Sequence, residues 1–132
     1  LAALVDSNVI LDLFADSAWR DSSVVALAAA ANRGRLVINP IIYAEISVGY
    51  ETTEILDALV PPTIEREAIP YDAAFLAGKA YLEYRRRGGM RRSPLPDFFI
   101  GAHAAVRGYE LLTRDPARYR TYFPRLKLIA PN

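Results

Sequence analysis

The chain has 132 residues, 52% hydrophobic and 23% charged, with no Cys and a formal net charge of +1. That length predicts one domain spanning residues 1–132, able to bury roughly 68% of the surface its unfolded form exposes. The missing Cys excludes a disulfide frame, a zinc–thiolate site and a thiol nucleophile, and fits a reducing cytoplasm as the expected location.

Ala2–Val5 is predicted as a short buried strand and Ser7–Phe14 as a helix, with Val9, Ile10, Leu13 and Phe14 at helical spacing. Asp16-Ser17 or Asp21-Ser22 is expected to cap a second helix through the Ala-rich stretch to Asn32, ended by Gly34. The longest apolar run lies inside it: Val24–Ala31 has 8 residues, against the about 20 a spanning helix needs, so a soluble protein is expected. Leu36–Ile38 follows as a strand. Asn39 is a good N-cap and Pro40 suits the first helical position, so a helix starts there and carries Glu45 in its second turn. Thr52 or Thr53 caps another helix toward Leu59, and Pro61-Pro62 breaks the chain.

Ile64–Ile69 is a third predicted strand. Asp72 is expected to cap a long helix from Ala73 to about Arg87, closed by Gly88-Gly89. Arg91–Pro96 reads as a loop, Asp97–Val106 as a helix, Glu110–Thr113 as a strand, Pro116–Phe123 as an irregular or helical turn, and Leu126–Ile129 as a last strand. Short strands alternating with helices predict an α/β fold with a parallel sheet covered on both faces. No basic-then-apolar signal stretch opens the chain, and its first residue is Leu, as for a chain lacking its natural start.

Asp6, Glu45, Asp97 and Asp115 lie at or near the ends of apolar, element-sized segments. Acids at strand ends in such a chain point to the carboxyl edge of the sheet, where these folds place their sites. If they converge, their repulsion calls for a cation, and hard oxygen ligands suit Mg2+ or Mn2+. Each also has a plain explanation. Asp6 can cap a helix, Glu45 can pair with an Arg, Asp97 suits a first helical turn, and Asp115 before Pro116 suits a turn. Asp12 is expected to face solvent or make a structural hydrogen bond. His103, the single His, is expected to be structural. No Gly-rich phosphate loop and no Ser-centred elbow is present.

The charge is unevenly spread. Residues 1–84 carry 5 Lys/Arg against 12 Asp/Glu, and residues 85–132 carry 11 against 3. Such asymmetry suggests a nucleic-acid or acidic partner, unless the halves interleave and mix their charges. Arg85, Arg86, Arg87, Arg91 and Arg92 could grip RNA phosphates, or simply place cations at a helix end and in a solvated loop. Tyr43, Tyr50, Tyr81, Tyr84, Tyr119 and Tyr122 could stack bases, but are mostly expected in the core or an interface.

Four stretches in order carry a resemblance: Val5–Asp12, Asn39–Glu45, Leu95–Ala104 and Leu111–Pro116. Along nearly the whole chain they resemble the PIN-domain ribonucleases, and more narrowly the VapC toxins of bacterial toxin–antitoxin pairs. The resemblance implies a three-layer α/β/α sandwich on a mostly parallel sheet. It implies Asp6 and Asp97 as main metal ligands, with Glu45 and Asp115 completing the acidic cluster, and Asn8 and Thr113 as supporting residues. It implies Mg2+- or Mn2+-dependent endonucleolysis of RNA leaving 5′-phosphate and 3′-hydroxyl ends. It also implies a small cognate antitoxin and a homodimer as partners. Two readings stand beside it: a housekeeping PIN-domain nuclease of RNA maturation, and a module that binds RNA or protein without cutting. A phosphotransfer domain is disfavoured, because no second acid lies beside or two residues after Asp6.

Overall fold

The apolar residues before Asp6 form strand β1 (Ala2–Val5), all of them buried, at the centre of a five-stranded sheet. The computed structural model describes residues 1–91 and 95–132. The other elements are α1 (Ser7–Phe14), α2 (Arg20–Arg33), β2 (Arg35–Ile38), α3 (Pro40–Ser47), α4 (Thr53–Leu59), β3 (Ile64–Arg66), α5 (Tyr71–Arg86), α6 (Pro96–Arg107), β4 (Glu110–Leu112), α7 (Ala117–Arg120) and β5 (Leu128–Ile129). Strand order is β3-β2-β1-β4-β5, and every neighbouring pair is parallel. The sheet is thus wholly parallel where the sequence predicts it mostly so.

Right-handed crossovers fix the layers. The chain steps from β1 to β2 to β3 in one direction, which sets α1 to α4 on one face. It returns past β1 to β4 and on to β5, which sets α5 to α7 on the other. The result is the α/β/α sandwich, and the order reverses between β1 and β4. Val5, Ile38, Leu111 and Leu112 are fully withdrawn from solvent, as both-face burial requires.

A second apolar cluster joins Ala73, Ala77 and Ala80 of α5 to Phe98 and Ala102 of α6 and to Phe123. Gly101 permits this approach: a Cβ there would lie 2.5 Å from the Phe123 ring. Gly108 closes α6 in the left-handed region at φ 70°. Gly108→Ala should therefore destabilise the fold by about 1 kcal/mol, read as a lower urea midpoint with an unchanged slope.

Several predicted boundaries are corrected. Neither Asp16-Ser17 nor Asp21-Ser22 caps α2. Its N-cap is Trp19, reached through a turn in which Ser17 Oγ accepts from the Trp19 N–H at 3.2 Å. α5 begins at Tyr71 after Pro70, so Asp72 is a first-turn acid rather than a cap. β3 stops at Arg66, after which Glu67 makes one more backbone bond to Ile38. β5 is Leu128–Ile129 alone. Thr52 caps α4, accepting from the Ile55 N–H at 3.2 Å. Among the described residues, no helix is long and apolar enough to cross a membrane.

Candidate active site

Asp6 stands one residue past β1, and its N–H still pairs with Leu112 O at 2.9 Å. Its carboxylate caps α1 by accepting from Ser7 N–H at 2.8 Å. The cap is real, but it engages only one oxygen. On the other, Oδ2, the hydroxyls of Thr113 and Tyr119 both donate at 2.8 Å. At 1% exposure, Asp6 is a buried acid held by donors.

Thr113 follows β4 directly. Its Oγ1 accepts from the Asp115 N–H at 3.1 Å and from Asn8 Nδ2 at 3.5 Å. Asn8 Oδ1 accepts from the Arg114 N–H at 3.2 Å. These bonds tie the turn after β1 to the turn after β4, across the point where strand order reverses. Crevices of this kind host ligands in open α/β sheets.

Two more carboxylates face Asp6. Glu45, half-buried in α3, accepts from Ser7 Oγ at 2.9 Å. Burial pushes its carboxyl above the usual range; the Ser7 bond opposes this, and the charges of Asp6 and Asp97 add to it. Asp97, in the first turn of α6, is also pushed up by burial, with Arg118 opposing and Asp6 adding. Tyr119, fully buried on α7, has its hydroxyl 3.4 Å from Asp97 Oδ1 while it donates to Asp6. Burial and then the charges of Asp6 and Asp97 raise the Tyr119 phenol, so it stays a proton donor.

Asp115 stands apart. Its side chain is 53% exposed and pairs with Arg118 Nη2 at 2.8 Å. Arg118 Nε is also 3.4 Å from Asp97 Oδ2. The structure therefore brings Asp6, Glu45 and Asp97 into one field and leaves Asp115 on its rim, joined through Arg118. Among the described residues, no three acidic or His side chains stand close enough, as placed, to hold one ion.

The remaining candidates fall outside this site. Asp12 is buried and structural: Ser23 Oγ donates to it at 2.6 Å and Arg114 Nε lies 3.0 Å away. His103 is fully buried between Asn39 and Glu67. Arg85 donates to Arg91 O at 3.1 Å, and Arg87 pairs with Glu83 at 3.0 Å and lies over the Tyr122 ring. Arg86 and Arg91 are exposed, and Arg92 lies outside the described residues. The charged halves interleave in part, since Arg107 pairs with Glu67 and Arg114 with Asp12.

The sequence does not single out Ser7 or Arg118 for the site, and it marks Tyr119 only as a stacking, core or interface residue. Arg118 alone has a local signal, its i, i+3 spacing from Asp115, which stands just before α7.

A model of the PIN domain matches residues 3–124. The chain belongs to the PIN domain family. No curated protein sequence matches it at a significant level. Among solved structures, a toxin–antitoxin complex from Klebsiella pneumoniae is 26% identical, covers 98% of both chains and has a TM-score of 0.69. The VapBC2 complex of Rickettsia felis, bound to a promoter DNA fragment, is 18% identical over 100% of both chains, with a TM-score of 0.78. VapBC-1 from nontypeable Haemophilus influenzae is 18% identical over 98% of both, with a TM-score of 0.74. The last two likenesses concern the fold, and this PIN domain shares it from end to end.

Proposed function

We propose that this PIN domain is a metal-dependent endoribonuclease acting as the toxin of a toxin–antitoxin pair. The observation that carries this reading is that Ser7 bonds to both Asp6 and Glu45, and the Tyr119 hydroxyl stands between Asp6 and Asp97, at the carboxyl edge beside the β1/β4 reversal. The likeness to a toxin–antitoxin complex at 26% identity supports the toxin assignment and a small antitoxin as partner.

The donor set fits a hard divalent cation. The facing groups are carboxylate oxygens, and Glu45 and Asp97 are both pushed up by burial and by neighbouring negative charge. Asp6 and Asp97 would be the main ligands, with Glu45 and Asp115 completing the shell once Arg118 moves aside. Bound there, Mg2+ or Mn2+ would polarise a phosphate oxygen and lower the pKa of a water. Thr113 and Tyr119 hold Asp6 in place. Ser7 fixes one oxygen of Glu45 and leaves the other free to orient the attacking water. The exposed Arg85, Arg86 and Arg91 would hold RNA phosphates, together with Arg92. A homodimer is part of the same proposal.

The raised carboxyls give a pH test. A carboxyl whose folded pKa lies above its unfolded value costs stability as pH rises through that interval, because the folded state must give up a proton it favours. A bound cation cancels the cost only where the acids are ionised. Mn2+ at about ten times its dissociation constant should add ~1.4 kcal/mol, raising Tm by roughly 4 °C at pH 7.5. The rise should shrink toward pH 4. Thermal unfolding with Mn2+ or with EDTA reads this directly, and an equal rise at both pH values would contradict the assignment.

The toxin reading is tested by expression with and without the neighbouring reading frame. Growth arrest relieved by a co-expressed short partner supports it. Indifference of growth would favour a housekeeping nuclease.

A further inference from the structure

Arg118 reaches back from the rim onto Asp97 of α6 and Asp115 in the turn after β4. Its Nη2 lies 2.8 Å from Asp115 Oδ2 and its Nε 3.4 Å from Asp97 Oδ2, although its side chain is 47% exposed. Its charge also acts on Glu45. Burial works against that charge, and Asp97, Asp115 and Asp6 favour it. A guanidinium and a divalent cation both against Asp97 would repel each other. Exposed ion pairs are weak and exchangeable. A guanidinium freed at this rim presents its planar fork to the next anion, and the fork matches phosphate.

We propose that Arg118 is an exchangeable counter-ion of the acidic site. It neutralises Asp97 and Asp115 while no divalent cation is bound, yields to the cation, and then holds a phosphate of the RNA strand. This rests on the reading of the acids as a metal centre. It makes Arg118 a substrate-positioning residue as well as a brake on metal loading. The pairing keeps Asp115 on the rim, 53% exposed, where it faces Arg118.

The test is calorimetric titration of the full chain with Mn2+, without turnover, for wild type, Arg118→Ala, Arg118→Lys and Asp6→Asn. Arg118→Ala should bind Mn2+ roughly 3- to 10-fold tighter, because the competing cation is gone. Arg118→Lys, which keeps the charge, should stay near wild type. Fluorescence anisotropy of a 2′-O-methyl RNA oligonucleotide gives the second readout. Mn2+ should strengthen its binding to wild type more than to Arg118→Ala, whose salt slope should be shallower by about 0.7. If wild type binds Mn2+, Asp6→Asn does not, and Arg118→Ala binds no tighter than wild type, the role of Arg118 is overturned and the metal centre stands. If neither wild type nor Arg118→Ala binds Mn2+, the metal centre falls and this inference with it.

Discussion

Asp6→Asn should remove metal-dependent RNA cleavage while leaving the fold intact. The loss in kcat/KM should exceed the roughly 10- to 100-fold typical of residues that only support metal ligands. The fold survives for a geometric reason. An Asn at this position keeps an oxygen toward the Ser7 N–H, which cannot turn away. Its NH2 then faces the Tyr119 hydroxyl, which can turn its proton toward Asp97 and accept, and the Thr113 hydroxyl, which can accept by giving up its long 3.5 Å bond from Asn8, a cost of about 1 kcal/mol. Asp97→Asn should give a comparable loss, whereas Asp115→Asn should lose less, because Asp115 stands on the rim. The comparison needs circular dichroism and thermal unfolding beside the rate assay. A folded Asp6→Asn protein that cuts as fast as wild type would remove Asp6 from the chemistry.

His103→Leu should cost about 2–4 kcal/mol of stability. Asn39 Oδ1 is committed to the Ile42 N–H at 2.9 Å, so its Nδ2 donates to His103 Nδ1 at 3.0 Å. That leaves His103 Nε2–H to donate to Glu67 Oε1, also at 3.0 Å. Burial works against the charge of Glu67, but the bonds from His103 and Tyr109 hold its carboxyl below the usual range. Leu removes both bonds at once and strands a buried amide and part of a carboxylate, a loss expected in this range. Urea unfolding measures it. The consequence reaches the site through the α3 cap, because Asn39 opens the helix that carries Glu45. A change under about 0.5 kcal/mol would mean that neither group depends on the ring.

What the sequence made legible follows from how local each signal is. Asn39-Pro40 marks a helix start by the chemistry of two adjacent residues, and α3 begins there. The apolar run before Asp6 and the segment ending at Leu112 are strands because buried parallel strands read as continuous apolar runs. The start of α2 at Trp19 is not marked by either polar pair, because Ser17 serves a turn and Asp21 lies inside the first helical turn. β3 and β5 are shorter than the apolar pattern suggests, because Ile69 after β3 and Leu126 before β5 pack against the apolar clusters from outside the strands. At the site, Asp6, Glu45 and Asp97 stand out as acids in or at the ends of apolar segments, whereas Asn8 and Thr113 are picked out by the family resemblance alone. Tyr119 and Arg118 are placed by neither, since their roles depend on contacts with Asp6 and Asp97 made across the fold. His103 was correctly assigned to structure, but its partners Asn39 and Glu67 are 64 and 36 residues away.

In the proposed reaction water attacks the phosphate, rather than the RNA's own 2′-hydroxyl. The chemistry of the cut ends tests it most directly. A panel of structured RNAs is incubated with the protein and Mg2+ or Mn2+, and the new termini are analysed. Attack by a metal-activated water gives 5′-phosphate and 3′-hydroxyl ends that appear only with the metal and vanish with EDTA. Ends bearing 2′,3′-cyclic phosphate and 5′-hydroxyl, or cleavage undiminished by EDTA, would contradict it.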